Sequence, residues 1–235
     1  MKNMDVLEKI RGRLIVSCQA LESEPLYCRE HSIMDYMAKA AFLGGAGGIR
    51  ANSIRDIQAI RKAVDLPLIG IIKKDYPDSE IYITPTMEEV DQLVLAGCDV
   101  IALDATNRTR PKGLGLEEFF SVCREKYPDQ LFMADCSTYS EGMRAAALGF
   151  DLIGTTLAGY TPYTKGRSLP DFEMMERLVN SGCRVIAEGG VWSPEQLTTA
   201  FSKGVFAAVA GSAITRPMEI TKRFAAAARV PEKAL

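Results

Sequence analysis

Eight short apolar runs recur along this chain, and each is followed by a stretch with helical spacing. They are LIVSCQA (14–20), GGIRA (47–51), PLIGIIK (67–73), VIALDAT (100–106), LFMADCS (131–137), LIGTTLAG (152–159), RVIAEGG (184–190) and FAAVAGSA (206–213). Most are apolar without alternation, the pattern of parallel strands covered on both faces. Helix starts lie between them. Ser53 and Asp56 form an S-x-x-D box ahead of Ile57, Ile60 and Val64, and Thr86 with Glu89 repeats it ahead of Val90, Leu93 and Val94. Ser193-Pro194 with Gln196 is a third start, with proline at the first helical position. Gly97, Gly149, Gly182 and Gly204 each stand just before a strand, where glycine supplies the left-handed cap that ends a helix.

Strand then helix, eight times in 235 residues with no composition break, points to a single α/β domain over residues 1–235. The fold expected is a (β/α)8 TIM barrel with an extra N-terminal helix, DVLEKIRGR (5–13), covering its bottom. The alternative is an open doubly wound sheet. Its dinucleotide fingerprint G-x-G-x-x-G is missing after the first strand, because LIVSCQALESE contains no glycine.

Composition narrows the partners. A net charge of −2 argues against a nucleic-acid partner, which needs a basic stripe for the phosphate backbone. No segment approaches the roughly 18–20 apolar residues of a membrane span. The first residues lack the apolar stretch and cleavage site of a signal peptide. No membrane partner and a cytoplasmic location are expected. Six cysteines without a C-x-x-C pair read as reduced thiols. The lone histidine, His31, sits at an expected helix start and reads as a surface or capping residue. Histidine-rich metal sites and Ser-His triads are nearly excluded, so no metal is expected and the chemistry must come from Lys, Asp, Glu, Arg or backbone groups.

The last positions of the eight strands are Gln19, Arg50, Lys73, Asp104, Asp135, Thr155, Glu188 and Ser212. Any one polar strand end is ordinary. In a barrel all eight converge on the face where active sites of this fold sit. The loops AEGG (187–190) and AGSAITRP (210–217) follow the last two strands, where backbone N–H groups of such barrels often bind phosphate. Arg216 reads either as a contact to that anion or as a solvated helix start. The loop YTPYTKGRSLPD (160–171) reads as a lid over the mouth or as a surface loop.

Nine runs in order along almost the whole chain carry a resemblance: SCQA, GGAGGIRA, IGIIKKDY, TPT, IALDAT, ADCST, IGTTLAGYT, VIAEGG and GSAITRP. Together they closely resemble the N-acetylmannosamine-6-phosphate 2-epimerase family of (β/α)8 enzymes of sialic acid catabolism. The resemblance implies interconversion of N-acetylmannosamine 6-phosphate and N-acetylglucosamine 6-phosphate without a cofactor, with a phosphorylated N-acetylhexosamine as the partner. A homodimer is compatible with it. By motif, Lys73 matches the acid/base lysine and Glu188 the carboxylate working with it. Gln19, Arg50, Asp135 and Arg216 match groups that hold the sugar. Gly190, Gly211 and Ser212 resemble the phosphate-binding positions, and Lys74 has no counterpart.

Epimerisation at carbon 2 removes a proton beside a carbonyl and returns it to the opposite face, which takes a base, an acid and a partner for the enolate oxygen. A free lysine, with a pKa of ~10.4, is protonated at neutral pH. Burial or a neighbouring cation such as Arg50 would lower that value. Glu188 could be the acid or could orient Lys73 and the sugar. Along its strand Lys73 shares a face with Ile69 and Ile71, and Lys74 with Gly70 and Ile72. The pattern does not say which face looks inward. A Schiff-base aldolase, a metal-assisted epimerase and a phosphosugar-binding barrel without turnover are the rival readings.

Overall fold

The computed structural model describes residues 2–228. The ends of the expected 1–235 domain, residue 1 and residues 229–235, lie outside the described residues. Eight strands run β1 (Leu14–Cys18), β2 (Gly48–Asn52), β3 (Leu68–Ile71), β4 (Val100–Asp104), β5 (Leu131–Asp135), β6 (Leu152–Gly154), β7 (Val185–Ala187) and β8 (Ala207–Ala210). All neighbours are parallel, and β1 pairs with both β2 and β8, closing the barrel.

The helices are α1 (Lys2–Ile10), α2 (Met34–Leu43), α3 (Ile54–Ala63), α4 (Met87–Leu95), α5 (Leu116–Lys126), α6 (Tyr139–Leu148), α7 (Phe172–Asn180), α8 (Pro194–Ser202), α9 (Ser212–Thr215) and α10 (Pro217–Ala227). The expected starts are present. The Ser53 hydroxyl accepts the Asp56 N–H at 3.3 Å, Thr86 and Glu89 close a full capping box, and Ser193 accepts the Gln196 N–H at 3.3 Å. The four glycines that precede strands all have positive φ, with Gly149 at 93° capping α6. His31 is exposed just ahead of α2.

Two cores follow from strand parity. Ile15, Ile69, Ile71, Val100, Met133, Leu152, Ile186 and Val209 form the barrel interior, and Val6, Leu7 and Ile10 of α1 join them from below. Burying Ile10 completely stabilises the fold by about 1.5–3 kcal/mol. The alternate positions, among them Val16, Ile49, Leu68, Ile101, Phe132 and Ile153, pack against the helices.

Several strands are shorter than the apolar runs suggest. β6 ends at Gly154, where the Ala158 N–H donates to the Thr155 carbonyl at 3.1 Å and turns the chain. β8 ends at Ala210, because Ile214 and Thr215 N–H both donate to the Gly211 carbonyl at 2.9 Å and wind α9. After β3 the chain doubles back. Lys73 bridges Ile83 in antiparallel fashion, and the Lys74 N–H donates to the Tyr82 carbonyl at 3.0 Å. The sequence carried no sign of this hairpin.

All six cysteines are free thiols. Burial pushes the Cys18, Cys98 and Cys123 thiols up to about 12. Among the described residues no helix is long and apolar enough to cross a membrane.

Candidate active site

One cavity opens at the C-terminal ends of the strands, and eight of the nine expected site residues line it: Gln19, Arg50, Lys73, Glu188, Gly190, Gly211, Ser212 and Arg216. Parity explains the convergence. Arg50 follows Gly48 on the inner face of β2, Glu188 follows Ile186, and Lys73 follows Ile69 and Ile71. Lys73 therefore looks into the barrel. Lys74 looks away, pairing with Glu88 at 3.4 Å and Glu89 at 3.1 Å.

The ninth residue, Asp135, does not reach the cavity wall. It lies fully buried below it and accepts both arms of Arg50, Nη1 at 3.1 Å and Nη2 at 2.6 Å. The same guanidinium stands 3.0 Å from Glu188 Oε2. A planar guanidinium with two carboxyl partners keeps its charge even when only 1 % exposed.

Burial first, then the positive charges of Arg216 and Arg50, lower Lys73 to about 8. Glu188 is raised to about 7. Burial dominates, Arg50 opposes it, and the negative charge of Asp135 adds to it. The cavity thus holds an amine close to neutrality beside a carboxylic acid close to neutrality.

The backbone holds Lys73 firmly. Its N–H donates to Asn52 Oδ1 at 2.8 Å. The hairpin behind it is pinned at Thr84, a β-branched residue at φ 45°, which is strained. The Ile72 N–H donates to the Thr84 hydroxyl at 3.3 Å, and the buried Arg110 donates to the Thr84 carbonyl at 3.1 Å.

On the opposite wall, Gly190 has φ 75°, and a Cβ there would lie 2.5 Å from Leu169 Cβ, so the close approach requires glycine. Arg216 pairs with Glu24 at 2.9 Å, and its Nη1 is 3.4 Å from the Ser212 hydroxyl. Gln19 donates to the Ser17 hydroxyl at 2.7 Å, which leaves its buried Oε1 without a partner among the described residues.

Two strand-end expectations change. Thr155 faces outward from the barrel, and its hydroxyl links the Glu188 N–H (3.1 Å) and carbonyl (2.8 Å) across β6 and β7. Its neighbour Thr156, two residues past Gly154 on the inner face, lines the cavity instead. Asp104 is not on the cavity wall, because Arg108 and the Thr106 hydroxyl occupy its carboxylate. The loop 160–171 is tied down. The Thr161 hydroxyl donates to Ser137 at 3.2 Å and Tyr163 donates to Glu141, while only Tyr160 lines the mouth. Thr156 could have been found by counting in twos from Leu152. Tyr82 and Trp192, which also line the cavity, carried no local signal.

Among the described residues no group of three or more His, Cys, Asp or Glu is placed to hold a metal ion.

Comparison with known proteins places the chain in a family. The family described as “Putative N-acetylmannosamine-6-phosphate epimerase” matches residues 34–230. The chain is 54% identical over 222 residues to a “Putative N-acetylmannosamine-6-phosphate 2-epimerase” of Caldanaerobacter subterraneus subsp. tengcongensis, covering 94% of this chain and 93% of that one. A protein of the same description from Clostridioides difficile is 53% identical, with 96% and 100% covered. A solved structure, “Structural and biochemical characterization of the N-acetylmannosamine-6-phosphate 2-epimerase from Clostridium perfringens”, superposes with a TM-score of 0.89 at 50% identity, covering 94% of this chain and 95% of that one. A thiamine phosphate pyrophosphorylase from Pyrococcus furiosus, at 17% identity and a TM-score of 0.60 over 92% of each chain, shares the fold alone.

Proposed function

The chain belongs to the N-acetylmannosamine-6-phosphate epimerase family, and from that premise we propose that Lys73 and Glu188 interconvert N-acetylmannosamine 6-phosphate and N-acetylglucosamine 6-phosphate by moving the proton on carbon 2. The observation that carries the roles is the pairing of a lysine lowered to about 8 with a carboxyl raised to about 7 in one cavity. Neutral Lys73 takes the carbon 2 proton of the open-chain sugar. Neutral Glu188 donates a hydrogen bond to the enolate oxygen as charge develops there. Arg50 supports that oxygen electrostatically, and Asp135 holds Arg50 in place from below.

The Gly190, Gly211 and Ser212 backbone and the Arg216 guanidinium take the phosphate, with Arg216 leaving Glu24 for the dianion. Gln19, through its unpaired Oε1, accepts a hydrogen bond from the sugar. We place the enzyme in the cytoplasm, a reading supported by its six free thiols. A homodimer is supported by α10, which has no buried residue and exposes Met218 and Phe224.

The sign of the pH dependence follows. The productive pair has both groups neutral, so activity follows a bell with its maximum between about 7 and about 8, falling on the acid side as Lys73 takes a proton and on the alkaline side as Glu188 loses one.

Proton NMR of N-acetylmannosamine 6-phosphate with the enzyme in heavy water tests the reading. The expected result is the second epimer with deuterium at carbon 2. No epimer and no label would overturn it, and substrate trapped on Lys73 by borohydride would replace it with Schiff-base chemistry.

A further inference from the structure

The Thr156 hydroxyl has no role in the reaction described above, yet it lies between the two carboxyl groups of the site. Its Oγ1 is 2.7 Å from Asp135 Oδ1 and 3.1 Å from Glu188 Oε2. A hydroxyl has one proton to give. Asp135, which takes both arms of Arg50, is the ionised partner and makes the shorter contact, so the Thr156 proton points to Asp135.

The 3.1 Å contact then has no hydrogen from Thr156. With Glu188 ionised, it would set an oxygen lone pair against a carboxylate oxygen in a mostly buried place. With Glu188 protonated, Oε2 donates to Thr156 Oγ1 and the chain of hydrogen bonds is complete from Glu188 to Asp135. We propose that Thr156 is a positioning residue that holds Glu188 neutral, accepting the Glu188 proton while giving its own to Asp135. The proposal rests on the reading of Glu188 as the acid.

The fold leaves room for this bridge. Gly154, opposite Asp135 in the sheet register, would carry a Cβ only 2.8 Å from Thr156 Oγ1 and 2.4 Å from the Met133 methyl. The charged groups facing Glu188 are Arg50 from β2, Lys73 after β3 and Asp135 from β5, and Arg216, Tyr82 and Tyr160 line the same cavity. Arg50, 3.0 Å from Oε2 itself, and Lys73 favour the carboxylate form, as would a hydrogen donated by Thr156; burial and Asp135 oppose it. Thr156 acts on the side of the neutral acid, because the proton it could have offered Glu188 is already committed.

The direction of one titration decides the matter. Glu188 is followed in the resting enzyme by its carboxyl carbon resonance, with Glu188→Gln as the assignment control. No substrate is present, so the result stands whether or not the chain epimerises the sugar phosphates. In Thr156→Val the neutral acid loses its acceptor, and its titration moves down by about half to one pH unit, the size of one net hydrogen bond. Thr156→Ser, which keeps the hydroxyl, restores it. An upward shift in Thr156→Val overturns the proposal, because it would mean that Thr156 donates to an ionised Glu188. No shift also overturns it, leaving Thr156 with a packing role. Thr156→Ala takes the place of the valine variant if the latter does not fold.

Discussion

The lower and upper halves of the barrel interior are built from the same strands, two residues apart, and burial reaches from the first well into the second. Below, the inner face carries Ile15, Gly48, Ile71, Met133 and Ile186. One step of about 7 Å farther along it carries Ser17, Arg50, Lys73, Asp135 and Glu188. Met133 and Asp135 are both 0 % exposed. What differs is how burial is tolerated. The lower half needs no partners beyond apolar neighbours, and it contributes stability by area removed from water. The upper half holds four ionisable groups that are tolerable only because Arg50 is shared between two carboxyls, and the remaining cost appears as a lysine pushed down and a glutamic acid pushed up. Stability and chemistry therefore occupy adjacent layers of one core.

Substitutions in the two layers should separate these properties, and the largest separation is expected at Lys73. Lys73→Ala lowers epimerisation by about 10²–10⁴-fold, the usual size of a lost acid/base group. Its melting temperature at pH 7 does not fall, since the folded state holds that ammonium beside Arg50 and Arg216. A large loss of stability would mean that the lysine is structural.

Arg50→Met should lower both properties. It leaves Asp135 buried without its cation, which costs about 3–5 kcal/mol in denaturant unfolding, and activity goes with it. Ile10→Ala, at the bottom, is the opposite case to Lys73→Ala. It costs about 2–5 kcal/mol of stability with unchanged turnover per folded molecule. Lost turnover in that variant, measured well below its melting point, would show that the layers are coupled.

Much of the barrel was legible in the sequence because its signals are local. The capping box at Thr86, the N-cap at Ser193 and the left-handed Gly149 act within a few residues of where they stand. The convergence of Gln19, Arg50, Lys73 and Glu188 was legible too, since period-two alternation is rigid along a strand. Three features were not. Which face of β3 looks inward depends on the other seven strands. The placement of Asp135 below the cavity depends on the reach of Arg50 from the far side of the barrel. The hairpin over 72–84 depends on Arg110 and Thr84, which lie 26 residues apart. Thr155 was singled out as a strand end, whereas Thr156, in step with Leu152 and Gly154, holds the inward position that the same alternation would have given.

The adjacent lysines Lys73 and Lys74 offer the most direct test of the claim that the upper layer makes a base. Burial between Arg216 and Arg50 lowers the first, whereas Tyr76 and Glu89 hold the second above the ordinary lysine range. Side-chain carbon resonances of labelled lysine, assigned with Lys73→Ala and Lys74→Ala, report both pKa values in the resting enzyme. The prediction is that Lys73 titrates at about 8, well before Lys74. If Lys73 instead titrated with Lys74 above ~10, the normal lysine value, the cavity would contain no base, and the proton at carbon 2 would have to be moved by another group.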